Sequence, residues 1–239
     1  MRVKAVLFDL FDTLLMIGND EAYYEPSLRK MHEFLTKKGI KASFEDFSRV
    51  YFEVRDRLYS ETRRTLDEPH FNVRVMQTLQ ELGYDLDVSD PVVVGATMAF
   101  AEEFMRYVSL DSDAVGVLRA LKRKYKLGLI SNFGIPECGR RLLDSFGLNE
   151  FFDLIIISAE VNQRKPNPTI FKKALHDLKV DASEAVFVGD MPELDVKGPR
   201  SVGIKAILIE RKPVERKIDV KPDRIIRNLG ELLTILEDD

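Results

Sequence analysis

Apolar residues follow two different spacings along this chain, and the change comes near residue 112. Residues 3–8 are mostly apolar and include β-branched and aromatic side chains, which is typical of a strand buried on both faces. Between residue 16 and about residue 109, apolar residues recur at helical spacing and no convincing strand is found. From Ser112 onward, helical stretches alternate with short apolar strands. That alternation predicts a parallel sheet with helices on both faces.

Turn and cap residues predict four helices between residues 16 and 109. Pro26 begins the first helix, and Ser43 caps the second. The third covers about residues 69–82, and Asp90 opens the fourth. Their charged outer faces are typical of a small helical bundle.

The second half of the chain predicts the rest of the sheet. A crossover between parallel strands needs only about a dozen residues, so the far longer gap after residue 15 marks an insertion. We therefore expect an α/β fold, with a Rossmann-like parallel sheet core at residues 1–15 and 110–239 and an inserted α-helical domain at 16–109. Residues 210–223 are expected to form a charged surface loop. The predicted helices are 112–124, 136–146, 167–178, 193–202 and 229–238, and the later strands are 127–130, 154–157, 185–188, 205–209 and 224–228.

Composition narrows the class of protein. The 239 residues carry a net charge of −4, whereas nucleic-acid binders are usually basic, so we expect no nucleic-acid partner. No apolar run approaches about 18 residues, so no membrane partner is expected, and Asp9 and Asp12 rule out a secretory segment. Cys138 is the single cysteine, so an internal disulfide is impossible and a cytoplasmic location is expected. High charge (32%) and the absence of tryptophan favour a thermophilic source.

Polar residues follow strand after strand at the same end. Asp9, Ser131 and Asp190 each come at the end of a predicted strand, and Lys165 follows another within a short loop. Since parallel strands all point one way, these groups are expected to converge on one crevice. Each residue alone is explained by a turn, a helix cap or a solvated surface. Only the combination indicates chemistry, and paired carboxylates beside a phosphate favour Mg²⁺.

Four motifs in order resemble those of the haloacid dehalogenase-like hydrolases. They are Phe-Asp-Leu-Phe-Asp-Thr-Leu at residues 8–14, Ile-Ser-Asn at 130–132, Lys-Pro at 165–166, and Gly-Asp-x-x-x-x-Asp at 189–195. The helical insertion between the first and second motifs resembles the cap called C1. The resemblance covers the whole chain and implies a phosphatase with an enclosed site for a small phosphorylated metabolite. The oligomeric state stays open.

The resemblance also implies roles for the residues in these motifs. Asp9 is the nucleophile, which attacks phosphorus and forms an aspartyl-phosphate. The implied Mg²⁺ ligands are Asp9, the backbone carbonyl of Phe11, and Asp190, with Asp195 ligating through water or orienting Lys165. Lys165 neutralises charge on the transferred group and keeps Asp9 ionised.

A second set of residues is assigned to holding the substrate. The Ser131 hydroxyl and nearby backbone N–H groups hold phosphoryl oxygens, and Asn132 and Lys165 complete the phosphate site. In the cap, aromatic and basic side chains are candidates for contacting the rest of the substrate, although for any one of them a solvated helix face is the simpler explanation. These candidates are Tyr23, Tyr24, Arg49, Arg55, Arg63 and Arg74.

One position departs from the family's phosphatases. The residue two after the nucleophile is usually an aspartate that protonates the leaving alcohol, and proton transfer of this kind contributes roughly 10²–10⁴-fold to rate. Here that residue is Phe11, which cannot transfer a proton. Asp12 is either a substitute acid/base or a residue chosen because aspartate tolerates left-handed backbone.

Phe11 is the reason for two alternative hypotheses of function. The family's dehalogenases carry an aromatic residue at this position, so a 2-haloacid dehalogenase is an alternative, with Arg49 as a match for their halide- or carboxylate-binding guanidinium. The acidic pair of Asp190 and Asp195 argues against it, because such a pair repels a carboxylate substrate. A binding or regulatory protein with little turnover is the third hypothesis.

Overall fold

The computed structural model describes residues 3–18, 20–211 and 220–237, and these residues form a sheet covered by helices. The strands are β1 (Ala5–Phe8), β2 (Leu15–Ile17), β3 (Val108–Leu110), β4 (Lys126–Ser131), β5 (Leu154–Ile157), β6 (Ala185–Gly189), β7 (Lys205–Ile209) and β8 (Arg224–Ile226). The helices are α1 (Asp20–Lys37), α2 (Phe44–Thr65), α3 (Phe71–Glu81), α4 (Pro91–Phe104), α5 (Ala114–Lys122), α6 (Pro136–Ser145), α7 (Ser158–Val161), α8 (Pro168–Leu178), α9 (Gly198–Arg200) and α10 (Glu231–Glu237).

Six strands form one parallel sheet in the order β5-β4-β1-β6-β7-β8, which confirms the predicted α/β fold. β1 lies at the centre, with Phe8 in register with Leu129 of β4 and Val188 of β6. Because these three strands end at the same edge, the residues that follow them are neighbours. This register is what brings the polar residues of separate motifs together.

Successive residues of β1 pack into opposite layers of the core. Val6 and Phe8 belong to the apolar cluster that includes α5, α6 and α10, whereas Ala5 and Leu7 belong to the cluster formed with α8. All four side chains are fully buried. Alternation along a strand sends neighbouring side chains to opposite faces, so helices are needed on both sides.

Helices α1 to α4 form a separate bundle between β2 and β3. α1 packs on α4, and α2 packs on α3. The Ser43 hydroxyl accepts from the backbone N–H of Asp46 at 3.0 Å, and Asp90 accepts from that of Val92 at 2.7 Å. Both predicted helix starts are therefore confirmed.

The predicted start of the first helix at Pro26 is wrong. α1 begins at Asp20, so Pro26 lies inside the helix rather than in its first turn. The extra turn carries Tyr23 and Tyr24, whose rings contact Phe104 at 5.0 Å and Phe100 at 5.6 Å. Packing of these aromatic rings outweighs the helix-breaking preference of proline.

The expectation of no strand between residues 16 and 109 is also wrong. β2 and β3 form an antiparallel ribbon in which Leu15 pairs with Leu110 and Ile17 with Val108. Strands of three residues are too short to show a period in the sequence, and their partners are far apart in the chain. The ribbon joins the helical bundle to the sheet.

The C-terminal part agrees with prediction except that the short helix α7 was not predicted and that one predicted helix differs. The stretch 193–202 is not one α-helix but a π-helical turn at Pro192–Lys197 followed by the short α9. Strand β8 and helix α10 close the sheet as predicted. Of the predicted loop 210–223, residues 212–219 lie outside the described residues. None of the helices in the described ranges has the length and apolar character needed to cross a membrane.

Candidate active site

Asp9 and Lys165 form a buried ion pair at the carboxyl edge of the sheet. The Lys165 ammonium donates to Asp9 Oδ1 at 2.5 Å and to Asp195 Oδ1 at 2.7 Å. The Lys165 side chain is 1% exposed. A buried charge is tolerated when oppositely charged groups surround it, and here two carboxylates do so. Three motifs that are distant in sequence therefore meet at one ammonium group.

Asn132 holds the backbone of Lys165 in place. Its amide nitrogen donates to the Lys165 carbonyl at 2.9 Å, and its amide oxygen accepts from the Lys165 N–H at 2.8 Å. Asn132 was predicted to bind substrate. Both ends of its side chain bond to the backbone of Lys165, so Asn132 positions Lys165, and its contact with substrate stays a prediction.

The π-helical turn after β6 aims Asp195 back at Lys165. The Asp195 N–H donates to the Met191 carbonyl at 2.7 Å, and Asp195 Oδ2 accepts from the Met191 N–H at 2.9 Å. Both carboxylate oxygens are therefore engaged, which favours the orienting role for Asp195 over direct metal ligation. π-helical turns are often found at functional sites.

Gly189 makes room for Asp195. A Cβ atom at this position would collide with the Asp195 side chain. Only glycine allows this close approach of side chain to strand end. The glycine of the fourth motif is thus required by packing, a reason that the sequence alone does not reveal.

Three carboxylates lie close enough to share a cation. Oxygen atoms of Asp9, Asp190 and Asp195 are all within 4.8 Å of one another. Burial, together with the charges of Asp9 and Asp195, raises the pKa of Asp190 to about 8. Burial also raises the pKa of Asp9 to about 6, although Lys165 opposes this. Excess negative charge and hard oxygen donors are what Mg²⁺ requires, so these residues fit that ion.

The Ser131 hydroxyl is buried beside this cluster. The residue is 1% exposed, and its Oγ has no hydrogen-bond partner within the part of the chain that the structure describes. An unpaired buried hydroxyl is costly, so it marks a place where a ligand oxygen can bind. This position fits the predicted contact with a phosphoryl oxygen.

The turn after Asp9 is built by Asp12 and Thr13. Asp12 has a left-handed backbone with φ of 54°, and its Oδ1 accepts from the Ile17 N–H at 3.2 Å. These features favour the structural explanation of Asp12 over the acid/base one. The buried Thr13 donates its hydroxyl to Asp9 Oδ2 at 3.4 Å.

Arg211 supports this turn and was not predicted. Its guanidinium donates to the carbonyls of Asp12 at 3.3 Å and Thr13 at 2.7 Å, and it pairs with Asp111 at 2.8 Å. Arg211 lies in a strongly charged stretch, so no pattern distinguishes it from solvated neighbours. Only the fold shows that it joins the turn after Asp9 to the end of β3.

Phe11 forms a wall between the carboxylates and a neighbouring cavity. Its ring lies 4.9 Å from that of Phe133 and 5.9 Å from that of Phe104. The cavity has a volume of about 290 Å³ and lies between the helical bundle and the sheet edge. Asn132 also lines it, so the cavity borders the ion-paired cluster.

The cap candidates divide into two groups. Tyr23, Tyr24 and Arg74 line the cavity. Arg49 does not reach it, because Arg49 lies on the exposed face of α2 and pairs with Glu53 at 3.1 Å. Neither Arg55 nor Arg63 is among its described lining residues. Helical spacing places arginines on a helix but does not tell which face meets the cavity.

Comparison with known proteins places this geometry in context. The family described as haloacid dehalogenase-like hydrolase matches residues 3–203. The chain is 29% identical over 247 residues to a glyceraldehyde 3-phosphate phosphatase of Methanopyrus kandleri, covering 99% of this chain and 98% of that protein. It is 34% identical over 134 residues to a phosphoserine phosphatase of Thermus thermophilus, which is 56% of this chain and about half (53%) of that relative. The solved structure of a 2-haloacid dehalogenase from Pseudomonas syringae is similar, with a TM-score of 0.75 and 28% identity over 99% of both chains.

Proposed function

Because this chain belongs to the haloacid dehalogenase-like hydrolases, we propose that it is a Mg²⁺-dependent phosphatase of small phosphorylated metabolites. The observation that carries the proposal is the position of the Lys165 ammonium, 2.5 Å from Asp9 and 2.7 Å from Asp195, with Asp190 beside them. A phosphate dianion needs positive charge to approach a carboxylate; Lys165 supplies one such charge, and a Mg²⁺ ion held by the acidic cluster would supply the rest. The relatives named as phosphatases support the same reaction.

Asp9 is the nucleophile in this proposal. Lys165 binds Oδ1, so Oδ2, which faces the Thr13 hydroxyl at 3.4 Å, is the oxygen that attacks phosphorus. The Oδ2–P bond forms as the bond between phosphorus and the leaving oxygen breaks, and an aspartyl-phosphate results. Water then attacks phosphorus, which releases phosphate and restores Asp9. Ser131 Oγ binds a phosphoryl oxygen throughout.

Asp9, Asp190 and the backbone carbonyl of Phe11 would hold Mg²⁺ in this enzyme. The ion supplies charge neutralisation for the phosphoryl oxygens and for the acidic cluster. Asp195 orients Lys165. Residues 16–109 are the C1-type cap, which covers the site and excludes water from it.

Phe11 limits the rate in this proposal. No proton donor stands two residues after Asp9, so the leaving oxygen departs without help from that position. Phosphate esters whose leaving alcohol is acidic are then hydrolysed faster than ordinary alkyl phosphates. Asp12 is held in the turn by Ile17 and does not replace the missing group.

A dehalogenase is the second candidate, because Phe11 is aromatic and a 2-haloacid dehalogenase is a structural relative. In that reaction Asp9 displaces halide from carbon and forms an ester, which water hydrolyses. The cluster of Asp190 and Asp195 speaks against it, since it repels a 2-haloacid carboxylate. The third candidate is a binding protein without turnover. It is considered because Phe11 cannot transfer a proton.

Hydrolysis of p-nitrophenyl phosphate tests the proposal. We expect phosphate release that requires Mg²⁺, stops with EDTA and is lost in Asp9→Asn. Asp46→Asn, on the exposed surface of α2, is the matched control and should retain full activity. Metal-independent release of chloride from 2-chloropropionate would establish the dehalogenase instead. Inactivity of the wild type towards both substrates and a broad panel of phosphate esters would leave the binding protein.

A further inference from the structure

Arg74 is a half-buried cation in the wall of the cavity beside the candidate active site. Its Nη1 donates to Tyr51 Oη at 3.2 Å and to Tyr24 Oη at 3.4 Å. The guanidinium also lies over the ring of Phe71, at 4.8 Å from its centre. Its Nε is buried and has no hydrogen-bond partner within the described ranges. Arginine stays protonated in proteins, so the cavity wall carries a permanent positive charge.

The two tyrosines do not neutralise this charge. Their hydroxyls lie 3.1 Å apart and share the same guanidinium nitrogen. Burial raises the pKa of Tyr51 well above its ordinary value, so the phenol remains neutral. Arg74 therefore has dipoles and aromatic faces around it, but no negative charge from these partners.

The acidic side chain nearest to Arg74 in the cavity wall already has other partners. Glu68 is the carboxylate among the described lining residues. It pairs with Arg164 at 3.4 Å and accepts from the Ser158 hydroxyl at 3.3 Å. No carboxylate lies within 4 Å of Arg74 in the described part of the chain. The charge of Arg74 acts on Glu68 only from beyond ion-pair distance, so the half-buried guanidinium has room to pair directly with an anionic group of a ligand.

The cavity places this cation next to the candidate active site, with Phe11 at the border between them. Phe11, two residues after the nucleophile, and Asn132, which holds Lys165, line the same cavity as Arg74. A phosphate bound at Asp9 would thus extend its leaving group past Phe11 towards Arg74. The volume of about 290 Å³ admits a small-metabolite leaving group, since a cavity of about 150 Å³ already holds benzene.

Building on the proposed phosphatase function, we propose that Arg74 binds a second anionic group, a carboxylate or another phosphate, at the far end of a small phosphate monoester. The fork of a guanidinium matches planar carboxylate and phosphate oxygens. The free Nε supplies a donor that the tyrosines leave unused. Arg74 is thus the residue that selects the leaving group.

Three phosphate esters that share a three-carbon chain with a 2-hydroxyl and differ at the far end test this inference. 3-Phosphoglycerate carries a carboxylate where glyceraldehyde 3-phosphate carries an aldehyde, and glycerol 1,3-bisphosphate carries a second phosphate there. For the wild type we expect kcat/KM for an anionic ester to exceed that for glyceraldehyde 3-phosphate by about 10- to 100-fold, the range of a charge-assisted hydrogen bond. The better of the two anionic esters identifies the second group.

Variants then assign the preference to Arg74. Arg74→Met should reduce the ratio of the two kcat/KM values to about one, and Arg74→Lys should give an intermediate ratio. Arg57→Met is the matched control, because Arg57 lies on the neighbouring helix α2 and pairs with Glu81 at the surface. Its ratio should equal that of the wild type.

The outcomes separate this inference from the phosphatase proposal. If the wild type hydrolyses p-nitrophenyl phosphate but shows no preference for either anionic ester, the role of Arg74 is refuted and the phosphatase stands. A preference that survives in Arg74→Met refutes it equally. If the wild type hydrolyses no phosphate ester, the phosphatase itself fails. If Arg74→Met does not fold, the ratio of kcat/KM values in the wild type and in Arg74→Lys still tests the role of Arg74.

Discussion

The ammonium of Lys165 and the carboxylate of Asp195 lie 2.7 Å apart, and each side chain is only 1% exposed. The same ammonium contacts Asp9, so one cation stands against two buried carboxylates. Removing one partner of a buried ion pair is far more costly than removing a surface charge. We therefore expect both the proposed activity and the local stability to depend on Lys165.

Replacing Lys165 by methionine should lower kcat at least about 100-fold and destabilise the protein by about 3–5 kcal/mol at pH 7. The carboxylates of Asp9 and Asp195 would then be buried without a counter-ion. Urea unfolding and p-nitrophenyl phosphate turnover measure the two effects. The exposed Lys173, which pairs with Asp177, supplies the control variant Lys173→Met, and this change should cost less than about 1 kcal/mol. Equal losses for both variants would contradict the importance of burial.

The acidic cluster should make the metal-free protein less stable as pH rises. Burial and neighbouring charges raise the pKa of Asp190 to about 8 from an ordinary value of 3.8. The folded state therefore binds a proton that the unfolded state releases, and this contribution to stability is lost between about pH 4 and pH 8. In EDTA, Asp190→Asn should be more stable than the wild type at pH 8 by roughly 1–3 kcal/mol, and the difference should shrink towards pH 4.

Magnesium should reverse that order. The wild type gains stability from a bound ion, whereas Asp190→Asn has lost a ligand and gains less. The comparison comes from thermal unfolding at pH 8, once in EDTA and once in about 10 mM Mg²⁺. That concentration is on the order of ten times a weak Kd. A wild type that is more stable than Asp190→Asn in EDTA at pH 8 would refute the account of the acidic cluster.

Introducing a carboxylate at position 11 should raise the rate if a missing acid/base limits it. Phe11→Asp is expected to increase kcat for an alkyl phosphate by about 10- to 100-fold, below the full range of proton transfer because the aromatic wall is disturbed. The effect should be smaller for p-nitrophenyl phosphate, whose leaving group needs no proton. Phe11→Asn, which has the same shape without the proton, is the control. Equal rates in the two variants would show that the missing acid/base does not limit the reaction.

Gly189→Ala should displace Asp195, because the new Cβ collides with that side chain. We expect a stability loss of about 1–3 kcal/mol and at least a tenfold loss of kcat, roughly the effect of moving a positioned group. Gly116 in helix α5 is the matched control, since a Cβ there meets no atom within 4 Å. Gly116→Ala should stabilise the helix by about 0.5–1 kcal/mol. Circular dichroism melts and kinetics distinguish the two.

Much of the sheet could be predicted because its pattern is local. Buried parallel strands read as apolar runs, and the polar residue after each run marks the strand end. Asp9, Ser131 and Asp190 were placed at one edge in this way, and the register of β1 with β4 and β6 confirms it. The β2–β3 ribbon was missed, because a three-residue strand has no period and pairs with a distant partner.

By itself, the sequence predicted the alternation of helices and apolar strands after residue 112 and the set of motifs that meet at the sheet edge. Only the tertiary structure shows which groups the side chains contact. Asn132 holds the backbone of Lys165, and the Asp195 carboxylate binds the Lys165 ammonium. Arg74 lines the cavity, whereas Arg49 does not. The reason is physical. Periodicity reports which face of a strand or helix is apolar, whereas hydrogen bonds and ion pairs depend on distances between segments that are remote in the chain.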